Sequence, residues 1–133
     1  MKKCHLALGI THWVAHRLAL PITCEFSFSA KDPCAVTLIF DAESERPVRW
    51  VFARELLAEG LTGLAGGGHA VLWPGTDASG QASLWVEVGA ARTALFEIPA
   101  EPVATWLADT YTTVPRGQEM AGVDWDGLTQ LIK

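Results

Sequence analysis

Between Pro47 and Gly60 the hydrophobic period changes within a few residues, and that change limits what the chain can fold into. Trp50 and Phe52 alternate with Arg49 and Val51, which is strand spacing, whereas Phe52, Leu56 and Leu57 fall at the i, i+4, i+5 spacing of a helical face. A strand predicted over 48–52 therefore runs directly into a short helix. Arg54, Glu55 and Glu59 are expected on the wet side of that helix, and Gly60 is expected to end it in the left-handed conformation. No catalytic group lies in this segment.

The 133 residues suit a single domain spanning 1–133, a size at which roughly two thirds of the unfolded surface is buried. Half of the residues are hydrophobic and six are tryptophan, so any aromatic area left at the surface favours an oligomer or an adaptor. The net charge of −5 disfavours nucleic acid, because phosphate binding draws on clustered Lys and Arg, and the ten basic residues here are scattered apart from Lys2-Lys3. No apolar run approaches the roughly 20 residues that span a bilayer, which predicts a soluble protein. Met1-Lys-Lys ahead of Cys4 to Ile10 has the outline of a secretory start. His5, His12 and His16 interrupt it, however, and no small-residue cleavage site follows, so export is not expected. Cys4, Cys24 and Cys34 are odd in number and sit in strand-like surroundings, which predicts reduced, buried thiols in a cytoplasm.

Residues 3–14 and 17–28 read as a long hairpin, with Cys24, Phe26 and Phe28 inward and Thr23, Glu25 and Ser27 outward. Asp32-Pro33 marks a turn before a strand over 35–40, and an acidic loop over 41–47 leads to the strand at 48–52. Gly66-Gly-Gly68 reads as flexible punctuation, after which strands over 70–74, 84–88 and 94–98 begin a second sheet. A helix follows with Pro102 in its first turn and Val103, Trp106, Leu107, Thr110 and Tyr111 at helical spacing, ended by Val114-Pro115. Asp124 is placed to cap a last short helix bearing Leu128, Leu131 and Ile132. Runs of neighbouring strands interrupted by single helices predict an α+β domain with antiparallel sheets.

Three segments carry a resemblance to a known family: Trp50-Val-Phe-Ala-Arg-Glu-Leu-Leu-Ala-Glu-Gly-Leu61, Ala70-Val-Leu-Trp-Pro74 and Thr112-Thr-Val-Pro-Arg-Gly-Gln-Glu119. From Leu20 onward the chain resembles the SsgA-like sporulation and cell-division proteins of actinobacteria. Asp32-Pro-Cys-Ala-Val36 is similar to the family's Asp-Pro-Tyr-Ala-Val, with Cys34 in place of the usual tyrosine, and Gly68-His69 replaces a commoner Gly-Asp. The resemblance implies two antiparallel sheets crossed by helices in a β4-α repeat, similar to whirly-type single-strand nucleic-acid binders, assembled as a homotrimer. It also implies a non-enzymatic adaptor, cytoplasmic and recruited to the septum, that helps position septum formation. Its partners would be FtsZ, the tubulin-like division protein, and other SsgA-like proteins.

Direct chemistry is thinly represented. His12-Trp-Val-Ala-His16 has the spacing of a two-ligand metal motif on a helix, but on a strand the imidazoles would lie about 13 Å apart, too far to share a zinc ion. Cys34 beside Ala35-Val36 is expected in the core rather than as a nucleophile. Ser79-Gly80 lacks the setting of a nucleophile elbow and reads as a turn. The glycines at 66–68 are not followed by the Lys-Ser or Lys-Thr of a phosphate loop. Neither a metal nor a cofactor is therefore expected. Asp41, Glu43 and Glu45 read as a solvated loop or as the charged rim of a contact patch beginning at Trp50. The predicted contact residues are Trp50, Arg54, Glu55, Leu57, Glu59 and Leu61 at the strand-to-helix junction, with Arg116 and Gly117 in the following turn. Gly117 is expected to need a positive φ. The alternative is stacking of single-stranded nucleic acid on Trp13, Trp73 and Trp85, against which the acidic balance counts.

Overall fold

The computed structural model describes residues 2–15 and 18–120. Four strands, β1 (Lys3–Ala15), β2 (Leu18–Ser29), β3 (Ala35–Phe40) and β4 (Val48–Ala53), precede helix α1 (Arg54–Gly60). Four more, β5 (Ala65–Gly67), β6 (Ala70–Thr76), β7 (Ala82–Gly89) and β8 (Thr93–Pro99), precede helix α2 (Ala100–Thr113). The chain is thus a β4-α unit followed by another, with antiparallel pairing throughout. His16 and the helix expected after Asp124 lie outside the described residues.

The two expected sheets are hydrogen-bonded into one, in the order β4-β3-β2-β1-β8-β7-β6-β5. The joint is narrow: among the described residues β1 pairs with β8 only through Thr11↔Glu97, His12↔Phe96 and Trp13↔Leu95. On a flat sheet β3 and β8, with β2 and β1 between them, would stand about 14 Å apart at the usual strand spacing. The rings of Phe40 and Phe96 nonetheless stack with centroids 4.1 Å apart, so the sheet curls toward its inner face. That face holds the core, with Cys24, Phe26, Leu38, Leu72, Leu84, Val86 and Ile98 fully buried. α2 lies across it through Val103, Trp106 and Leu107, and the Trp106 indole meets the Phe26 ring edge-on.

Glycines explain two local departures from expectation. Gly66-Gly-Gly68 is no loose linker: Ala65–Gly67 forms β5, and Gly68-His69 makes a two-residue hairpin into β6, with Gly68 at φ 62 in the position such turns give to glycine. Gly60 does not take the left-handed conformation. It stays inside α1, where an added Cβ would stand 2.6 Å from the Cβ of Leu72, so its role is to let the helix lie close on β6. Ser79-Gly80 is turn chemistry, as expected. The Asp77 carboxylate accepts from the Ser79 hydroxyl and from the N–H groups of Ser79 and Gln81, and Gly80 has φ 85. The cysteines differ from expectation: all three are free, but only Cys24 is buried, Cys4 is half-buried, and Cys34 is exposed in the turn before β3. Burial pushes the Cys24 thiol up to about 12.

Candidate functional site

The strand-to-helix junction and the turn after α2, distant in sequence, form one corner of the molecule. β4 delivers Arg54 to the first position of α1, and there its side chain turns inward instead of to solvent, with 1% of its surface exposed. Its guanidinium donates to the Thr110 carbonyl at 2.9 Å and to Glu119 Oε2 at 3.0 Å. It also lies over the rings of Tyr111 at 4.1 Å and Phe28 at 4.9 Å. The period predicts Arg54 on the wet side of α1 as a contact residue, but its two terminal nitrogens are engaged inside the protein, tying the start of α1 to the end of α2.

Around it the other polar groups interlock. Glu119 Oε1 accepts the Gly117 N–H at 2.8 Å, so one carboxylate clamps both the turn and Arg54. Hydrogen bonds from its own backbone N–H and then from Arg54 hold the Glu119 carboxyl below the usual carboxylate range. Glu55 accepts the Tyr111 hydroxyl at 3.1 Å and pairs with exposed Arg116 at 3.2 Å, and the Arg116 guanidinium lies 4.8 Å from the Tyr111 ring centroid. Burial raises the Tyr111 phenol above its ordinary value. Gly117 has the positive φ that its turn required, 87°, with open space where a Cβ would stand.

Beside the corner, α1 and α2 leave a groove of about 500 Å³ with an apolar lining that includes Ala58, Leu61, Ala104 and Ala108, bounded by Tyr111 and Arg116. Of the predicted contact residues, Glu55, Leu61, Arg116 and Gly117 converge on this corner, and Glu59 is exposed on α1. Leu57 is fully buried and offers no contact. Trp50 is half-buried on β4, stacked on Phe52 and packed against the core. Sequence reasoning gave no site role to Tyr111 and Glu119, which organise the corner. The available signal was an aromatic in the last turn of α2 and an acid two residues beyond Gly117, but nothing in the spacing said that both would meet Arg54.

Elsewhere, Trp13, Trp85 and Trp73 gather on the outer face of the sheet, with neighbouring ring centroids 6.3 Å apart. The Trp13 indole N–H donates to Glu97, which also accepts the Ser83 hydroxyl. Gly75 makes room for Trp85, whose indole nitrogen would lie 2.5 Å from an added Cβ. On the inner face the His12 ring lies tilted against Phe96, with centroids 4.8 Å apart. Among the described residues no three His, Cys, Asp or Glu side chains are grouped to hold a metal ion, and no helix is long and apolar enough to cross a membrane.

Residues 22–119 match the family described as Streptomyces sporulation and cell division protein, SsgA. The sporulation-specific cell division protein SsgB of Thermobifida fusca is 33% identical over 122 residues, covering 90% of this chain and 86% of its own. SsgB of Streptomyces coelicolor is 35% identical over 124 residues, covering 92% and 88%. A solved structure of an SsgA-like sporulation-specific cell division protein from Thermobifida fusca superposes with a TM-score of 0.86 at 28% identity, covering 99% of this chain and 96% of that one. A second, from work relating SsgB mutations to longitudinal cell division during sporulation of Streptomyces coelicolor, gives 0.85 at 32% identity, covering 90% and 94%. Family match, near full-length relatives and superposition agree with the fold built above, and the chain belongs to the SsgA family of sporulation and cell-division proteins.

Proposed function

We propose that this protein is a non-enzymatic adaptor of sporulation-specific division, one that binds other proteins to help position septum formation and acts in the cytoplasm at the septum. The observation that carries the reading is the corner itself. An exposed turn is held by a buried arginine and a clamping carboxylate next to a shallow apolar groove with a charged rim. An apolar centre, polar rim and backbone fixed before contact are what a protein-binding patch needs, because less ordering remains to be done on association. In this reading Leu61 supplies the apolar contact and Glu55, Glu59 and Arg116 the rim, while Arg54 and Leu57 support the patch from within. The partners are FtsZ and other SsgA-family proteins, and the protein acts as a homotrimer.

The test uses purified proteins. FtsZ polymers are expected to carry the wild-type chain into the pellet and to leave Leu61→Asp and Arg116→Glu behind, with both variants folded by circular dichroism. Equal pelleting of all three proteins would sink the reading. Sedimentation velocity at micromolar concentration tests the trimer, and a clean monomer would remove it. A second reading, stacking of single-stranded nucleic acid, draws support from the Trp13–Trp85–Trp73 array. Glu97 and Glu87 on the same face oppose it, and absence of an oligo-dT mobility shift at low salt would end it.

A further inference from the structure

β1 is 13 residues long, yet only its last part is paired on both sides. β2 pairs with it from Lys3 to Trp13 and beyond, whereas β8 reaches it only at Thr11, His12 and Trp13. The bond from the Ala30 N–H to the Lys2 carbonyl at 3.1 Å sets the phase of the β1–β2 ladder. In an antiparallel pair every second residue exchanges bonds with the same neighbour. The even-numbered residues of β1 therefore bond to β2, and Lys3, His5, Ala7 and Gly9 turn their N–H and C=O groups the other way.

At Thr11 and Trp13 such outward groups meet β8. Continuing the register, the next rung would join Gly9 to Pro99, but proline has no N–H to give, and the chain enters α2 at Ala100 instead. The two halves of the sheet separate there. The edge groups of His5, Ala7 and Gly9 lie beyond the last β1–β8 ladder pair, outside any strand pairing on that side among the described residues. No Pro or Lys blunts the edge between His5 and Gly9, as exposed edges usually require.

The separation opens a cleft of about 840 Å³ whose lining includes His5, Leu6, Pro99, Glu101, Trp106 and Asp109. It adjoins a smaller cavity of about 310 Å³ near Lys2 and Lys3 that shares His5, Trp106 and Asp109. Trp106 lines both, and its buried Nε1–H has no partner among the described residues. Glu101 and Asp109 are exposed on the α2 wall and make no ion pair among the described residues.

We infer that the free edge of β1 from His5 to Gly9 accepts an extended segment of another polypeptide by strand addition, and that the segment carries a basic side chain opposite Glu101 and Asp109. Main-chain bonds along about 13 Å of edge supply affinity, and the carboxylates supply selectivity. The edge from His5 to Gly9 and Asp109 stand apart from the α1–α2 groove, although Glu101 lines both, so Ala7→Pro and Asp109→Lys test the inference whether or not that groove binds division proteins.

The probe is a random dodecapeptide library displayed on phage and selected against the full chain, with enriched sequences synthesised for titration. Enriched peptides are expected to alternate apolar and polar residues, to carry Lys or Arg, and to slow amide exchange at His5, Ala7 and Gly9. Ala7→Pro removes one outward N–H at a position where an edge strand tolerates proline, and it is expected to weaken binding at least tenfold. Asp109→Lys is expected to weaken it several-fold. Should Ala7→Pro fail to fold, peptides N-methylated at alternate amides make the same test on the wild-type chain. The inference is overturned by failure to enrich any peptide, by undiminished binding to Ala7→Pro or of the methylated peptides, or by protection mapping to another face. Slow exchange of the three amides in the free chain, at any concentration, would also overturn it, because the edge would already be covered by this chain or by a second copy.

Discussion

Replacing Arg54 by methionine tests whether the corner is held from inside. Methionine keeps the length of the stem and removes the guanidinium, which donates to the Thr110 carbonyl and to Glu119 and lies against Tyr111 and Phe28. Hydrogen bonds involving a charged group contribute about 1.5–3 kcal/mol each, and the aromatic contacts add about 1–2 kcal/mol where the cation is desolvated. Against this, the substitution relieves a buried charge whose Nε–H has no partner, worth about 1–3 kcal/mol. The Thr110 carbonyl keeps its bond from the Val114 N–H, and Glu119 is open enough to regain water. The net loss is about 2–4 kcal/mol, a large share of the roughly 5–15 kcal/mol available to a domain. Urea unfolding followed by tryptophan fluorescence is expected to show a lower midpoint with an unchanged slope. Arg54→Lys is expected to fall nearly as far, since a single ammonium does not reproduce the fork. Stability of Arg54→Met within about 0.5 kcal/mol of wild type would refute the reasoning and return Arg54 to the class of replaceable buried charges.

Gly60→Ala drives a Cβ against Leu72 and is expected to lower stability by about 1–3 kcal/mol, whereas an unchanged thermal midpoint would show that α1 shifts freely on β6. At Gly117 an added Cβ meets no neighbouring atom, so the expected cost of Gly117→Val is chiefly the backbone strain of a branched residue at φ 87, about 1–2 kcal/mol or somewhat more. Gly117→Asn, which tolerates that region, is expected to recover most of the loss, and equal stability of all three proteins would dismiss the strain. In the native protein at pH 8, exposed Cys34 is expected to react quickly with a disulfide reagent while Cys24 stays silent until unfolding. The folded Cys24 thiol keeps its proton to about 12, against 9.0 without burial. Its contribution to stability is therefore complete below pH 9 and falls as pH rises from there toward 12, which alkaline unfolding of Cys24→Ala against wild type measures.

Local period told most about single elements. The alternation of Cys24, Phe26 and Phe28 placed the inner face of β2 correctly, and the spacing of Val103, Trp106 and Leu107 did the same for α2. The jump from Trp50 and Phe52 to Leu57 located the strand-to-helix junction. What did not show was pairing between distant elements. Arg54 follows an exposed Ala53 and looks like a surface charge by helical period, because its acceptors, Thr110 and Glu119, lie 56 and 65 positions away. β5 was invisible for a related reason: three residues, two of them glycine, have no strand propensity of their own and are held by their rungs to β6. The merging of two sheets into one depends on three rungs whose register no single segment encodes.

Those three rungs also order the assembly of the molecule in time. Among the described residues six of the seven strand pairings join neighbours along the chain, whereas Trp13 and Glu97 at the joint are 84 positions apart. Hairpins of short reach form early, and a contact that must close so long a loop comes late. β1 to β4 and β5 to β8 are thus two prefabricated leaves, with α1 linking them in sequence, and the rungs of Thr11, His12 and Trp13 are the latch that fastens one leaf to the other once each has taken shape.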